Sequence, residues 1–298
     1  MSGVRCQVSG SCSHAGRWVF AFLIVLLSGC MSGSVSRFAE NLGRAVGAHD
    51  DPVLVRSALP AYLLLIDGLI EGDPHAPALL EAGAWLYTAY AGLLGDEETR
   101  AAKLTERAMT YACRARRCRA RRAPDLRACR FDVLEKHLAA ATKRDVASLY
   151  TLGSAWAGWI RAHPEAVSAA ADIPRVEAIM ERVVALDPSH GDGAAYMILG
   201  SLTVLLPADL GGDREKAHRC FEQAVKLSGG KNLMVSVLYA RQYAVATGNR
   251  TLYRRLLQQV VDAPAVTREH RLTNTIAREQ AQRLLADEAR LFEKEPGK

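Results

Sequence analysis

Three carboxylates near the end of a long apolar stretch have the types and spacing that acid–base or cation chemistry needs. Asp67 and Glu71 lie one helical turn apart, and Asp73 follows them closely. Paired carboxylates can transfer protons or bind a cation. The Asp73-Pro74 dipeptide more simply ends a helix, because proline disfavours the helical conformation of the residue before it. The sequence has none of the hydrolase, zinc-peptidase or dinucleotide motifs, so we predict no enzyme activity, no cofactor and no metal ligands.

The segment 113–130 carries eight arginines and three cysteines, which raises the question of a zinc site with His137 or a nucleic-acid surface. The segment lacks the C-x2-C pair of a zinc site and the aromatic residues of a nucleic-acid surface. We therefore predict an exposed excursion between helical hairpins, with solvated arginines and no nucleic-acid partner. A Cys118–Cys129 disulfide would close this loop and stabilise the fold by about 3 kcal/mol. Cys220 is expected to be a buried thiol.

An apolar run near the start of the chain predicts export. Residues 18–27 are uncharged and follow a region that contains Arg5 and Arg17. A helix of this length rises about 15 Å, half of the roughly 30 Å hydrocarbon core of a bilayer. A basic start and a short apolar region are typical of a secretory signal peptide. The two arginines are not adjacent, so general secretion is favoured over the twin-arginine route.

The sequence LSGC at residues 27–30 resembles the bacterial lipobox. This resemblance implies cleavage before Cys30 and acylation of Cys30, and several acyl chains give stable anchoring. A plain signal peptide with an incidental cysteine is the alternative. Met31 in place of an aspartate favours the outer membrane, facing the periplasm. We therefore divide the chain into a signal peptide (1–29), a lipid-anchored linker (30–46) and one domain (47–298).

The composition of the remaining chain indicates an all-α protein. Alanine and leucine dominate, and apolar residues recur at helical spacing almost throughout. The net charge of +6 is too small to require a nucleic-acid partner. We expect no second apolar run long enough to cross a membrane, so the acyl chains would be the only membrane anchor.

Helical hairpins recur at irregular intervals with the residue pattern of the 34-residue TPR motif. Small residues stand where the two helices of each hairpin would touch, and the first helices carry the pairs Ala82-Gly83, Leu152-Gly153, Leu199-Gly200 and Tyr239-Ala240. A leading helix at 53–68 and a final helix with an apolar stripe from Ala277 to Phe292 would cap the array. We predict a TPR-like helical-hairpin solenoid of about four hairpins plus capping helices. A generic helical bundle is the alternative.

Longer stretches point to one family. The sequences at 52–74, 149–160 and 205–241, together with the lipobox, resemble the T component of TRAP transporters, the TatT family. The resemblance covers the chain from about Gly47 to Phe292. It implies a periplasmic lipoprotein that is built from TPR-like hairpins. It also implies a homotrimer in which each protomer has a channel.

The same resemblance implies a partner, the soluble substrate-binding P subunit of a TRAP transporter. The T component would assist the handling of a small ligand, with hydrophobic ligands as one possibility, and would not be an enzyme. A TPR scaffold lipoprotein for envelope or pilus assembly, with no small ligand, is the rival interpretation.

Two loops are candidate binding segments. Leu210, Gly211 and Gly212 lie inside a hairpin where TPR has a tight turn, so they can line a channel mouth or contact the P subunit. A turn followed by an Asp213 helix cap is the alternative. Lys231 and Asn232 begin a helix and can bind an anionic ligand or partner, with a capped helix junction as the alternative.

Four aromatic residues on the first helices of hairpins are candidates for contact with a ligand. They are Tyr150, Trp156, Trp159 and Tyr239. First helices line the concave side of a TPR array, so these rings can face a ligand channel. Packing in the core is the alternative explanation for aromatic residues at helical spacing.

Overall fold

The computed structural model describes residues 41–94, 97–120, 124–206, 212–264 and 268–292. It is 83 % helical, and no strand occurs among these residues. The all-α class predicted from the sequence is confirmed. The signal peptide and Cys30 lie outside the described residues.

Thirteen helices follow one another along the described chain. Helix α1 includes residues 41–47. The next six are α2 (Pro52–Gly72), α3 (Pro77–Leu93), α4 (Glu98–Arg119), α5 (Phe131–Ala139), α6 (Val146–Ala162) and α7 (Val167–Leu186). The last six are α8 (Ala194–Leu205), α9 (Arg214–Ser228), α10 (Leu233–Leu238), α11 (Arg250–Asp262), α12 (Arg271–Ala286) and α13 (Glu288–Phe292). A π-helical segment, Tyr239–Ala244, continues directly from α10.

The four predicted hairpins are present. They are α3 with α4, α6 with α7, α8 with α9, and α10 and its π-helical segment with α11, and the two helices of each pair pack together. The short helix α5 is inserted between the first two hairpins and packs against α7. The predicted leading helix is longer than expected, since it continues beyond residue 68 to Gly72. Asp51 caps its start by accepting hydrogen bonds from the backbone of Val53 and Leu54.

The small residues of the repeat lie where the helices of a hairpin touch. A Cβ atom on Gly83 would lie 2.9 Å from the Tyr111 ring, and one on Gly153 would lie 2.6 Å from Met180. On Gly200 it would lie 2.9 Å from the Phe221 ring. Both helices can therefore approach each other only because these positions have no side chain.

The segment 113–130 differs from its prediction over its first part. Residues 113–119 are the last two turns of α4 and not an excursion between hairpins. Ala115 is buried on one face of these turns, as is Ala112 just before them. The buried face continues the helix beyond the point where the arginine-rich composition predicted a loop.

The two ends of the hairpin array meet. Helix α12 contacts α2, and Leu272 and Ile276 of α12 join the core formed by helices α2 to α8. Close by, a Cβ atom on Gly47 would lie 3.1 Å from the Glu269 carbonyl oxygen. His270 Nε2 lies 3.1 Å from a carboxylate oxygen of Asp192. The first and last elements of the array are therefore in contact, and the array closes on itself.

Helix α2 corrects one expectation. By length and composition alone, its 21 residues could cross a membrane, and it is the one such helix among the described residues. One face packs into the core through Leu59, Leu63, Ile66 and Ile70. The other face exposes four large apolar side chains, Val53, Leu54, Leu64 and Leu65. Because one face of α2 is buried in the core, α2 is a packed helix of the fold, although its composition would also suit a membrane span.

Substitution of Gly200 by alanine tests the close contact between helices. The added methyl group would meet the fully buried Phe221 ring, so we expect the unfolding free energy to fall by about 1–3 kcal/mol. Gly92→Ala is the control, because its methyl group meets nothing within 4 Å. Chemical denaturation of both variants measures the difference, and equal stability would contradict the contact.

Candidate functional site

One face of α6 stays accessible while the rest of the helix is buried. Helix α6 packs against α3, α4, α7 and α8. Tyr150, Ser154, Ala157 and Arg161 are the partly or fully exposed residues at a spacing that places them on one side of the helix. We call these four residues the inner stripe. It is the face of α6 that its neighbouring helices leave accessible.

Tyr150 is the aromatic candidate that lies on the inner stripe. Its ring is half-buried and packs edge-on against His190, with 5.0 Å between the ring centroids. Burial raises the pKa of the Tyr150 hydroxyl. Tyr150 is therefore a neutral, amphipathic side chain that stays partly accessible, and its role in ligand contact stays a prediction.

Trp156 and Trp159 are packing residues, as the alternative explanation proposed. Trp156 is fully buried and donates from Nε1 to Asp172, at 2.9 Å. Trp159 is 6 % exposed and donates from Nε1 to Glu106, at 2.5 Å. Both lie on the part of α6 that faces neighbouring helices and not on the inner stripe. The interpretation of these two rings as ligand contacts is therefore not supported.

Tyr239 is also an interior residue. Its side chain is fully buried, it stacks on Phe221 at 5.0 Å between centroids, and its hydroxyl donates to Glu222 at 3.0 Å. The hydroxyl also contacts His218. Burial and the Glu222 bond raise the pKa of Tyr239. This network fixes the π-helical segment against α9, which is the packing alternative given for Tyr239.

The two candidate loops have capped helix ends. Leu210 and Gly211 lie outside the described residues. Gly212 precedes Asp213, which caps α9 by accepting from the Lys216 backbone at 2.8 Å. This is the alternative given for that loop.

The Lys231–Asn232 junction is built in the same way. Asn232 caps α10 by accepting from the Met234 backbone at 3.2 Å, and the Lys231 carbonyl accepts from Asn274 at 2.8 Å. Gly229 and Gly230 supply the left-handed backbone, with φ of 56° and 73°. The Lys231 side chain is exposed, so its binding role stays a prediction.

Two arginines at the end of α4, Arg116 and Arg119, are paired with carboxylates, whereas Arg117 is exposed, as predicted. Arg116 is 4 % exposed and donates to Asp145 at 2.8 Å and to His137 at 2.9 Å. Arg119 donates two hydrogen bonds to the Glu81 carboxylate, at 2.5 and 2.6 Å. The acidic partners lie on neighbouring helices or loops, far away in sequence. The segment therefore ties helices together.

The predicted Cys118–Cys129 disulfide is not formed in this structure, and both residues are free thiols. Cys129 Sγ instead points to the Leu126 carbonyl, at 3.8 Å. Cys113 is also free, and burial raises its pKa to about 11. Cys220 is a buried thiol, as expected.

The carboxylate of Asp67 joins three helices. It accepts hydrogen bonds from the hydroxyls of Tyr87, at 2.8 Å, and Tyr111, at 2.7 Å, and from Arg107, at 3.1 Å. All of its partners are donors from α3 and α4, and neither Glu71 nor Asp73 takes part. Asp67 therefore stabilises the packing of α2, and within the described residues no acidic or cysteine–histidine group is arranged to hold a metal ion.

A groove lies where the two ends of the array meet. It has a volume of about 410 Å³ and lies between the start of α2 and the middle of α12. Its lining includes Arg56 and Arg283 with Glu279, so its charges are mixed. The groove is wide and open, which distinguishes it from a closed ligand pocket.

This closed array of hairpins matches one known protein family. Residues 48–292 match the family described as the TRAP transporter T-component. The chain belongs to the TRAP transporter T-component family. The T-component family provides a part of a transporter and is not an enzyme family. The resemblance seen in the sequence is confirmed.

A curated protein of Treponema pallidum (strain Nichols), described as an uncharacterized protein, is similar to this T-component chain. The two are 25 % identical over 128 residues, which cover 43 % of this chain and 40 % of that protein. The chain thus spans less than half the length of the relative that it matches.

Sequence reasoning missed Arg161, although its spacing from Tyr150 already placed both residues on one face of a helix. Burial lowers the pKa of Arg161, and the nearby positive charge of Arg241 lowers it further. Neither arginine has a hydrogen-bond or carboxylate partner among the described residues. This distinguishes the two from the paired arginines of α4.

His137 makes stability depend on pH. Arg116 donates to His137 Nε2, which must therefore be unprotonated, and burial followed by the Arg116 charge lowers the His137 pKa. The neutral form is thus favoured in the folded state. The free energy of unfolding that neutral His137 contributes is fully present above the unfolded pKa of about 6.5. It is lost as the pH falls through the lower pKa of His137 in the folded state.

We expect the unfolding free energy to fall between pH 7.5 and pH 5 more steeply in the wild-type protein than in His137→Gln. Glutamine can still accept from Arg116 but does not titrate. Urea denaturation at several pH values measures both curves. The seven other histidines are present in both proteins, so curves of equal slope would exclude His137 as the cause.

Proposed function

We propose that the protein is an accessory component of a TRAP-type transporter that binds the substrate-binding P subunit. The observation that carries this proposal is the family match over residues 48–292. The closed array of hairpins supports it, because a concave surface built from helical hairpins is a common site for binding partner segments or ligands.

We propose that a small ligand passes through, or is held in, the space on the concave side. The inner stripe supports this, since it leaves a tyrosine, two small residues and an arginine accessible on one side of α6. A ligand with an apolar part and a polar end would match that order of side chains.

We propose that acylated Cys30 anchors the protein in the outer membrane, with the protein facing the periplasm. The lipobox-like LSGC sequence and the preceding apolar run support this. A tether of this kind keeps the concave surface close to the membrane and raises its effective concentration toward partners there.

The exposed face of α2 supports assembly into the homotrimer that the resemblance implies. Leu54, Leu64 and Leu65 lie on this face with the small residues Ala61 and Gly68. Contiguous apolar side chains and small residues on one helix face favour contact with another helix. A second copy of the chain is the proposed occupant.

Binding to the P subunit is tested with purified proteins. We expect the T-component to retain the TRAP substrate-binding protein encoded in the same genome, and not a binding protein of another transporter class. Size-exclusion chromatography of the mixture measures the complex, and mass spectrometry identifies any small molecule that it carries. A folded P subunit that elutes separately, while an envelope or pilus protein is retained, would support the scaffold alternative.

Anchoring and assembly are tested together with Cys30→Ser. We expect this variant to leave the membrane fraction and to have the mass of three chains by light scattering. Adding Leu64→Glu and Leu65→Glu should then give single chains, because a buried unpaired charge at the interface costs several kcal/mol. Leu205→Glu, at another exposed leucine, is the control. A Cys30→Ser protein that stays in the membrane fraction would point to α2 as a membrane contact.

A further inference from the structure

Residues 113–145, from the end of α4 through α5 to the start of α6, hold the whole net positive charge of the chain. By sequence they include eleven arginines and lysines against four aspartates and glutamates, which gives a net charge of +7. The whole chain has a net charge of +6, so the residues outside this segment together have −1. A charge distribution this uneven creates a positive potential over one part of the protein surface.

A buried arginine joins the parts of this segment. Arg116 is 4 % exposed, and it donates to Asp145 at 2.8 Å and to His137 of α5 at 2.9 Å. Arg182 of α7 donates to the Ala141 carbonyl at 2.5 Å. These hydrogen bonds fix the end of α4, the helix α5 and the residues that follow α5 as one unit against α7.

Three exposed cations lie beside the hydrogen-bonded group that Arg116 joins, each of them next in sequence to one of its members. They are Arg117, Lys136 and Arg144, and all three side chains are exposed. None of these side chains has a hydrogen bond or an ion pair among the described residues. Consecutive Cα atoms are about 3.8 Å apart, so the backbones of the three cations stay close to the group that Arg116 holds together. The three cations therefore share one region of the surface.

The carboxylates of the segment do not cancel these charges. Asp132 and Asp145 are already paired with arginines of the same segment, at 3.0 and 2.8 Å. Asp125 and Glu135 remain, and both are exposed. The surface therefore stays net positive, in contrast to the groove between α2 and α12, whose charges are mixed.

Two apolar side chains of α5 add to this region. Phe131 is 40 % exposed and Val133 is 37 % exposed, and Val133 lies about one helical turn from Lys136. Leu134 and Leu138 are buried in the core, so the apolar face of α5 is not available to lie in a bilayer. Arginines together with partly exposed aromatic and apolar side chains are typical of the interface between two proteins. We call the following five residues the basic surface: Arg117, Phe131, Val133, Lys136 and Arg144.

We propose that the basic surface binds a carboxylate-rich face of a partner protein. Nine of the eleven cations in the segment are arginines, and a planar guanidinium group donates parallel hydrogen bonds to both oxygens of a carboxylate. A second copy of the chain fits less well, because the residues outside the segment have a net charge of only −1. The proposal rests on the proposed function for the identity of the partner, the P subunit, and it names the face of this chain that the P subunit contacts.

Charge reversal by Arg117→Glu with Arg144→Glu, in the full chain carrying Cys30→Ser, tests the proposal. The probes are the P subunit encoded in the same genome and poly-L-glutamate, each measured by calorimetric titration at low salt. We expect both probes to bind the parent protein, and the double variant to bind each of them about tenfold or more weakly, because attraction is replaced by repulsion. Binding to the parent should also weaken as salt is added.

Arg219→Glu with Arg255→Glu is the matched control, because it changes the net charge by the same amount elsewhere. These two arginines of α9 and α11 are exposed and have no hydrogen bond or ion pair among the described residues. The control should leave both affinities within about threefold of the parent. Both double variants should unfold at the temperature of the parent, since only exposed side chains change. If the Arg117 and Arg144 pair does not fold with glutamate, Arg117→Gln with Arg144→Gln makes the same comparison.

The proposal is overturned if neither probe binds the parent, or if both bind the parent and the Arg117 and Arg144 variant equally. Two other results also overturn it. Binding to phosphatidylglycerol vesicles in place of both probes would assign the surface to a membrane, and dissociation of the variant into single chains would assign it to a second copy. A parent that binds poly-L-glutamate through these arginines but does not bind the P subunit would contradict only the proposed function. A P subunit that binds parent and variant equally would contradict only the present proposal.

Discussion

Close contact between the two helices of each hairpin is the constraint on which the rest of the structure depends. Gly153 and Gly200 leave no room for a Cβ atom, because Met180 and the Phe221 ring fill that space. The contact fixes the distance between the helices of a hairpin, and that distance fixes which faces are buried. The accessible inner stripe of α6 is the face that remains after the helix has packed on four neighbours.

The fold was largely predictable because the residues that allow this contact lie close together in the sequence, within one hairpin. The small residue in each first-helix pair, within the residue pattern of the TPR motif, identified all four hairpins. The end of α4 was not predictable from composition, since the arginines of 113–119 find their partners Glu81 and Asp145 at distant positions. Cys118 lies on α4 and Cys129 in the segment after it, and closeness in sequence did not join them in this structure.

The site was less predictable, because helical spacing alone does not say which face of a helix is inside. Tyr150 and Trp156 lie on one helix, yet one is accessible and the other fully buried. Only the packing of α6 on its neighbours separates them. Aromatic residues drew attention to the helix, while the residue with the unusual environment, Arg161, had no motif to mark it.

The contact between α2 and α12 has a consequence for how the molecule opens. A linear stack of repeats frays from its terminal units, since each of these has a neighbour on one side only. Here the first and last parts of the stack cover each other, so neither can loosen without exposing Leu272 and the core residues it packs on. Loosening of either end is thereby coupled to the loss of packing at the other, so the array is expected to unfold as one unit and not from its ends.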